Sequence, residues 1–465
     1  MTDPTQLSIA ELGAAYRTRQ LSPVDATEAC LHRIAERDPE LHAFITVTAD
    51  QDRADARVAT DELTGGHDRG PLHGVPIGLK DLIDVAGVRT TGASALFADH
   101  VADRDATVTR RLRDAGAVIL GKLNLHELAY GGSGIVGHYP AARNPHDVAH
   151  ITGGSSSGSA AAVADRLCFA ALGTDTAGSI RVPAALCGVV GMKPTYGLVP
   201  LRGVFPLAWT YDHVGPMTRS VVDAALVLQA IAGFDADDVT SAALPVPDYA
   251  AIAALGVPVQ PDVLRIGVAR NYFFNDATPE VAAATERVLA LATQLGAQLR
   301  DIEIPIDDDR TVAKTESYAI HRKHLAESSA KYQPPTLFRI NLGADVSASD
   351  YIEKLHELQL MRRRAAQLFA EVDLIVMPTT PIPAPAFAEL NSDNLRAREL
   401  LLLRNTRPFN ILGTPALSIP CGTTRDGLPI GFQIAGAPGA DATVLRFGAT
   451  LERQLLQDSH ARSVS

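Results

Sequence analysis

Cysteine is scarce in this chain. Its four cysteines, Cys30, Cys168, Cys187 and Cys421, lie far apart among 465 residues, and no CxxC pair occurs. That excludes a disulfide framework and fits isolated thiols in a reducing compartment. HExxH is missing, and His126, His138, His146 and His150 follow no zinc-ligand spacing, so no metal is expected. The many glycines never form GxxxxGK[ST], which leaves a nucleotide cradle without support, and no cofactor is expected. Basic residues are the minority: 42 Lys and Arg stand against 53 Asp and Glu, for a net charge of -11, and no basic block stands out. Direct nucleic-acid binding needs such a footprint and is not expected. The N-terminal twenty residues lack a basic start followed by an apolar stretch, so no secretory signal is read. Alanine-rich runs are broken by Arg, Asp or Gly before they reach membrane-spanning length. A cytoplasmic protein with no membrane contact is the expectation.

What is present is core-forming material. Hydrophobic residues make up 46% of the chain and charged residues 20%, enough for a large interior and unlike a disordered chain. Ser22-Pro23 reads as a helix start, with Ser22 as cap and Pro23 in the first turn. Val75 to Val85 reads as a buried strand, Asp105 to Ala115 as a helix and Ala117 to Lys122 as a strand, and Asn124 to Ala129 is expected to open another helix. Ser159 to Leu167 reads as a small-residue helix and Phe169 to Gly173 as a strand. This alternation predicts an α/β fold with a large mixed central β-sheet covered by helices on both faces. Residues 235–262 look like a surface excursion, and residues 311–372 like a helical cap or insert. Apolar strand-like runs resume after that insert, so residues 1–465 are read as one domain whose sheet draws on both halves.

Three small-residue or apolar segments carry chemistry. Lys80 stands alone in the apolar run HGVPIGLKDLIDV, where poor solvation favours the neutral amine. A neutral lysine can serve as the base that a serine nucleophile requires. The bland alternative is a lysine that reaches water or pairs with Asp81 or Asp84. Gly153 to Ser159, GGSSSGS, is followed at once by an apolar helix, which fits a flexible linker poorly. GTDTAGS, Gly173 to Ser179, is a tight turn after a strand, and its successive N–H groups at Thr176, Ala177, Gly178 and Ser179 are able to face one point as an oxyanion hole does. An ordinary helix cap at Ser179 fits the same window.

The span from His73 to Ala185, with CGVVGMKPTYGLVP after it, resembles the amidase signature family of serine hydrolases. GVPIGLKD, GGSSSGS and GTDTAGSIRVPAA occur in the family's order, residues 62–200 enclose the catalytic signature core, and LGTPALSIPCGTTRDGLPIGFQIAG near the end is also similar. The resemblance implies the amidase signature fold and a Ser-cisSer-Lys triad: Ser179 as nucleophile, Ser155 as bridging serine after a cis peptide bond, and Lys80 as base. The separation of the two serines, 24 residues, equals the family's usual spacing. One departure is Ala177, where many members carry glycine; a positive φ there would strain alanine. Beside the nucleophile, Asp175 and Arg181 read as scaffold that fixes the turn, either as a buried pair or through backbone hydrogen bonds.

The resemblance puts Tyr130, Gly131, Gly132 and Ser133 beside the acyl pocket, and Phe205 and Trp209, the sole tryptophan, are further pocket candidates that core packing explains equally well. Arg404 and Arg407 are able to form a guanidinium fork for a carboxylate, against a surface or helix-end role. The leading functional reading is hydrolysis of a small amide with a neutral or hydrophobic acyl group through an acyl-enzyme, with esters and carbamates open to the same chemistry. The implied partners are this amide and water, with a homodimer left open. A second reading is the glutaminase subunit of an aminoacyl-tRNA amidotransferase, although KLNLHELAYGGSGIVGHYP departs from the wording expected there, notably an EFAMG-like stretch. A third is a non-catalytic binding or assembly protein on the same scaffold.

Overall fold

The computed structural model describes residues 3–256, 264–307 and 309–464. Thirteen strands occur among them: β1 (Phe44–Val47), β2 (Pro76–Lys80), β3 (Val118–Leu123), β4 (Arg143–Asn144), β5 (Asp147–Ile151), β6 (Ala170–Thr174) and β7 (Val190–Lys193), then β8 (Val214–Thr218), β9 (Arg265–Val268), β10 (Gln298–Asp301), β11 (Leu374–Pro378), β12 (Ala416–Thr423) and β13 (Pro429–Gly436). Eleven form one sheet in the order β1-β3-β2-β6-β8-β7-β12-β13-β11-β9-β10, while β4 and β5 make a separate ribbon. The sheet is mixed: β2 runs parallel to β3 and β6, and β9 parallel to β10 and β11, whereas β7, β8, β12 and β13 pair antiparallel. Helices cover both faces, which is the amidase signature fold. Strands from before residue 220 and after residue 260 share this sheet.

Burial on both faces explains the composition of the central strands. Every residue of β2, β3, β6 and β8 is buried, so these strands read as continuous apolar runs and not as alternating ones. Lys80 and Lys122 are the exceptions that such strands must accommodate. The helix Pro23–Leu41 starts where expected, with a reciprocal cap between Ser22 and Asp25 and Pro23 in its first turn. Ser220 likewise caps the helix Val221–Ile231. Residues 311–364 contain the helices Thr311–Ser328, Pro334–Asn341 and Ala348–Arg364. Residues 235–256 contain the helix Tyr249–Leu255, and the rest of that excursion, from residue 257, lies outside the described residues.

Two elements differ from expectation. The strand expected over Val75 to Val85 is strand only over Pro76–Lys80, and the chain turns there as the N–H groups of Leu82 and Ile83 donate to the Lys80 carbonyl. The segment Asn124 to Ala129 forms no α-helix; it makes a single turn, Glu127–Ala129, with Leu128 and Ala129 at φ of 50° and 60°. Tertiary partners take the amides a helix would use internally. His126 N–H donates to the Ser155 carbonyl, Glu127 N–H to Val136 and Leu128 N–H to Gly92. The segment therefore becomes a wall around the serine loops.

Candidate active site

Lys80 is the last residue of β2 and Thr174 the last of the adjacent parallel strand β6. Their side chains emerge at the carboxyl ends of parallel strands, where open α/β sheets hold their sites. The helix Ser157–Ala164 packs against β2, β3 and β6, which brings its preceding loop, with Ser155, to the same edge. Ser156 locks the two serine loops together. Its N–H donates to the Ser179 carbonyl at 3.2 Å, and its hydroxyl bonds the carbonyl and N–H of Thr174 at 3.2 and 3.3 Å. The Gly154–Ser155 peptide bond is cis.

At this edge Lys80 Nζ donates to Ser155 Oγ and to Thr174 Oγ1, each at 2.7 Å. Neither Asp81 nor Asp84 pairs with it. Asp81 instead faces Lys122 at 3.0 Å. Burial pushes the Lys80 pKa down to about 7, with the charges of Asp175 and Asp212 opposing the shift. A proton therefore leaves this amine near neutral pH. Ser179 sits across the loop junction, nearly buried, and lines a cavity of about 100 Å³.

The turn carrying Ser179 is organised by Asp175. Burial alone would raise the pKa of this carboxyl; Arg181, Lys193 and Asn410 outweigh burial and hold it below the usual carboxylate range. Its oxygens accept from Gly178 N–H at 2.7 Å, Ile180 N–H at 3.1 Å and the Arg181 guanidinium at 3.0 and 3.1 Å. Asn410 Nδ2 adds a bond at 2.8 Å, and Arg181 reaches on to Thr406 O and Gln433 Oε1, both at 2.8 Å. Asp175 and Arg181 thus form a buried pair beneath the turn. This arrangement narrows the set of N–H groups open to a ligand. Gly178 N–H is spent on Asp175, whereas the N–H groups of Thr176, Ala177 and Ser179 have no acceptor among the described residues. The left-handed residue is Gly178, at φ +136°, where a Cβ would meet Thr406 Oγ1 at 2.0 Å. Ala177 is outside the positive-φ set, so the departure from glycine carries no strain.

The remaining candidates separate into three places. Tyr130 and Gly131 line the Ser179 cavity. Gly132 and Ser133 do not line it: Gly132 O accepts Gly154 N–H at 2.9 Å, and Ser133 Oγ donates to Glu399 at 2.8 Å. Phe205 and Trp209 line a second cavity, of about 260 Å³, together with Thr174, Asp212 and His213. Their loop turns toward that side because the N–H groups of Leu207 and Ala208 are bound to Asp212 at 2.8 and 3.0 Å. Arg407 lines the Ser179 cavity, but Arg404 is tied to Asp276 and the Tyr272 carbonyl. Tyr130 itself is held by a distant helix. Arg339, on the helix Pro334–Asn341, donates to the Tyr130 carbonyl and pairs with buried Glu399 at 2.6 Å.

Sequence reasoning missed Thr174, Asp212, Thr406, Asn410 and Gln433. Asp212 accepts from Thr176 Oγ1 at 2.6 Å, and burial raises its pKa to about 6. The available signals were polar residues in apolar surroundings: Gln433 in the fully buried strand β13, and Thr406 and Asn410 in the RNTRPFN segment. Among the described residues no group of three His, Cys, Asp or Glu side chains is arranged to hold a metal, and no helix is long and apolar enough to cross a membrane.

Comparison with known proteins decides the family. The amidase family profile matches residues 25–445. The chain belongs to the amidase family. An amidase from Pseudomonas putida is 40% identical over 463 residues, covering 97% of each chain. A glutamyl-tRNA(Gln) amidotransferase subunit from Moorella thermoacetica is also 40% identical, over 477 residues and 96% of each chain. Among solved structures, 6-aminohexanoate cyclic dimer hydrolase with substrate superposes with a TM-score of 0.88 at 28% identity, over 97% of each chain. This amidase is accordingly a serine hydrolase of the Ser-cisSer-Lys kind.

Proposed function

We propose that this amidase cleaves the C–N bond of a small amide by forming an acyl-enzyme at Ser179. The observation that carries the reading is the buried Lys80, bonded only to the hydroxyls of Ser155 and Thr174 and able to lose its proton near pH 7. Neutral Lys80 accepts the Ser155 proton as Ser155 accepts that of Ser179, and Ser179 Oγ attacks the carbonyl carbon. The N–H groups of Thr176, Ala177 and Ser179 receive the oxyanion. The relay then runs backward. Its proton goes to the nitrogen, the C–N bond breaks, and the amine or ammonia departs. Water attacks the ester at Ser179 through the same relay, releases the acid and restores the serine. In this mechanism substrate binding brings Ser179 Oγ into line with Ser155 Oγ. Esters and carbamates fit the same steps.

The test is acylation. Wild-type protein exposed to a serine-directed phosphonate gains one adduct, at Ser179, and releases ammonia or amine from a panel of primary amides and arylamides. Folded Ser179→Ala does neither. Turnover surviving in Ser179→Ala overturns the mechanism.

A second reading is the glutaminase subunit of an aminoacyl-tRNA amidotransferase. Relatives named as amidotransferase subunits favour it, matching over as much of the chain as the amidase relative does and at equal identity. Glutamine hydrolysis that is slow in the isolated chain and stimulated by the other amidotransferase subunits would decide for it. Hydrolysis of other amides with glutamine inert, alone and with those subunits, decides against it.

A further inference from the structure

The second cavity reaches Lys80 by way of Thr174 and not by way of Ser179. Thr174 lines it and accepts from Lys80 Nζ at 2.7 Å. A hydroxyl that accepts a hydrogen bond keeps its own O–H to donate, so Thr174 is able to pass a proton on. The inner end of the cavity holds buried Asp212 and His213, and the outer end holds exposed Trp209, Asp237 and Val239. A space of about 260 Å³ takes several waters, and Thr174, Asp212 and Thr240 give them polar partners. Of the residues that line it, only Ala129 also lines the cavity at Ser179. The charged groups around this space divide by role. His213 is committed, with Nδ1 donating to the Tyr211 carbonyl at 2.7 Å and Nε2 facing Lys193 at 3.3 Å. At the mouth Arg202 pairs with Asp237, and Asp238 accepts from the N–H groups of Leu201 and Thr240. Asp212 is the inner carboxylate. Burial raises its pKa to about 6, and Glu316 on the helix Thr311–Ser328 adds to the rise. Its charge also acts on Tyr196 and on Lys80, itself lowered by burial to about 7.

Hydrolysis of an arylamide yields a carboxylate, a neutral arylamine and one proton. In the mechanism proposed above, on which this inference rests, Lys80 holds that proton at the end of each turnover. The O–H bond of the product acid breaks, and the proton passes through Ser179 and Ser155 to Nζ. The carboxylate then occupies the Ser179 side, and Lys80 must become neutral before the next acylation. We propose that the proton leaves through the second cavity, from Lys80 Nζ to Thr174 Oγ1, from the Thr174 O–H to water, and by way of Asp212 to the bulk. Each transfer breaks one N–H or O–H bond and forms one O–H bond, and Asp212 returns to the carboxylate when solvent at the mouth takes the proton. The two hydroxyls on Lys80 thus divide the work: Ser155 serves the substrate, and Thr174 serves the return to the starting state.

The test is turnover of a chromogenic arylamide by the full chain, above neutral pH, in a dilute and bulky buffer. Asp212→Asn keeps an oxygen for the Leu207 and Ala208 N–H groups, which share one carboxylate oxygen in the wild type. Its steady-state kcat is expected to fall about tenfold, less than a lost general base costs, while the first acylation keeps the wild-type rate. Protein quenched during the slow steady state carries no acyl adduct by mass, which separates a retained proton from slow deacylation. Imidazole, which is small enough to enter the cavity, restores kcat as its concentration rises. In Thr174→Val the break lies ahead of the cavity, and imidazole restores nothing. Wild-type kcat for Asp212→Asn in the dilute buffer overturns the exit route and leaves the acyl-enzyme reading intact. So does a variant whose first acylation and kcat fall together without rescue, because Asp212 then only positions its loop. Undiminished acylation in Lys80→Met overturns the reading beneath the proposal, and the exit route with it.

Discussion

Two lysines lie fully buried at the ends of neighbouring parallel strands, and their surroundings have opposite purposes. Lys122, on β3, faces the Asp81 carboxylate at 3.0 Å and also donates to Thr90 Oγ1 at 2.7 Å. Lys80, on β2, meets only the hydroxyls of Ser155 and Thr174. Burial lowers the pKa of both. At Lys122 the adjacent Asp81 works against that shift, whereas at Lys80 the opposing charges of Asp175 and Asp212 belong to groups not bonded to it, and its pKa falls to about 7. The same side chain is an ion-pair partner in one place and, in the proposed mechanism, a proton acceptor in the other, and what decides is whether a carboxylate stands within bonding distance.

The two sites break in different ways. Lys80→Met is expected to lower the acylation rate by about a thousandfold or more, the scale of a lost general base, while the melting temperature holds. Rapid mixing with a chromogenic ester and calorimetry read the two effects. Lys122→Met strands Asp81 in the interior, and urea unfolding should show a loss of about 3–5 kcal/mol, with acylation per folded molecule little changed. If Lys122→Met abolishes acylation in folded protein, the contrast between the two lysines fails. Thr174→Asp makes the first site resemble the second. Wild-type kcat/KM is expected to rise with pH and level off above about 7, because in the proposed mechanism only the neutral amine accepts a proton. A carboxylate at residue 174 stabilises the ammonium, so the rise moves to higher pH by about one unit or more, and the rate at pH 7 falls about tenfold. Thr174→Val, which removes one hydrogen bond and adds no charge, is expected to cost about fivefold, with a smaller shift of the profile.

The parts of the site legible in the sequence are those whose chemistry is local. Lys80 stood out because a lone cation in an apolar run requires an explanation, and Ser155 and Ser179 because small-residue turns border an apolar helix. The resemblance to a known family then joined them. Thr174 was visible in the same turn, but its role depends on β2 and β6 being adjacent, which no single window states. Asn410 and Gln433 are farther from view still. They bond Asp175 and Arg181 across more than 200 residues of chain, and short windows carry no trace of such pairings. Asn124 to Ala129 shows the reverse case. Its composition permits a helix, and bonds to the loops around it prevent one. Of the cations that line the cavity, Arg407 is legible in the sequence, while Arg310, Lys314 and Arg396 join it only through folding.

The clasp of Arg339 on Glu399 and on the Tyr130 carbonyl has a consequence for recombination between relatives. Residues 126–134, 334–341 and 395–402 are remote in sequence, yet they close on one buried charge pair. They therefore behave as a single cassette. A chimera that imports one of them inherits an orphaned ion in the interior, whereas one that imports all three exchanges the wall of the cavity and keeps its support.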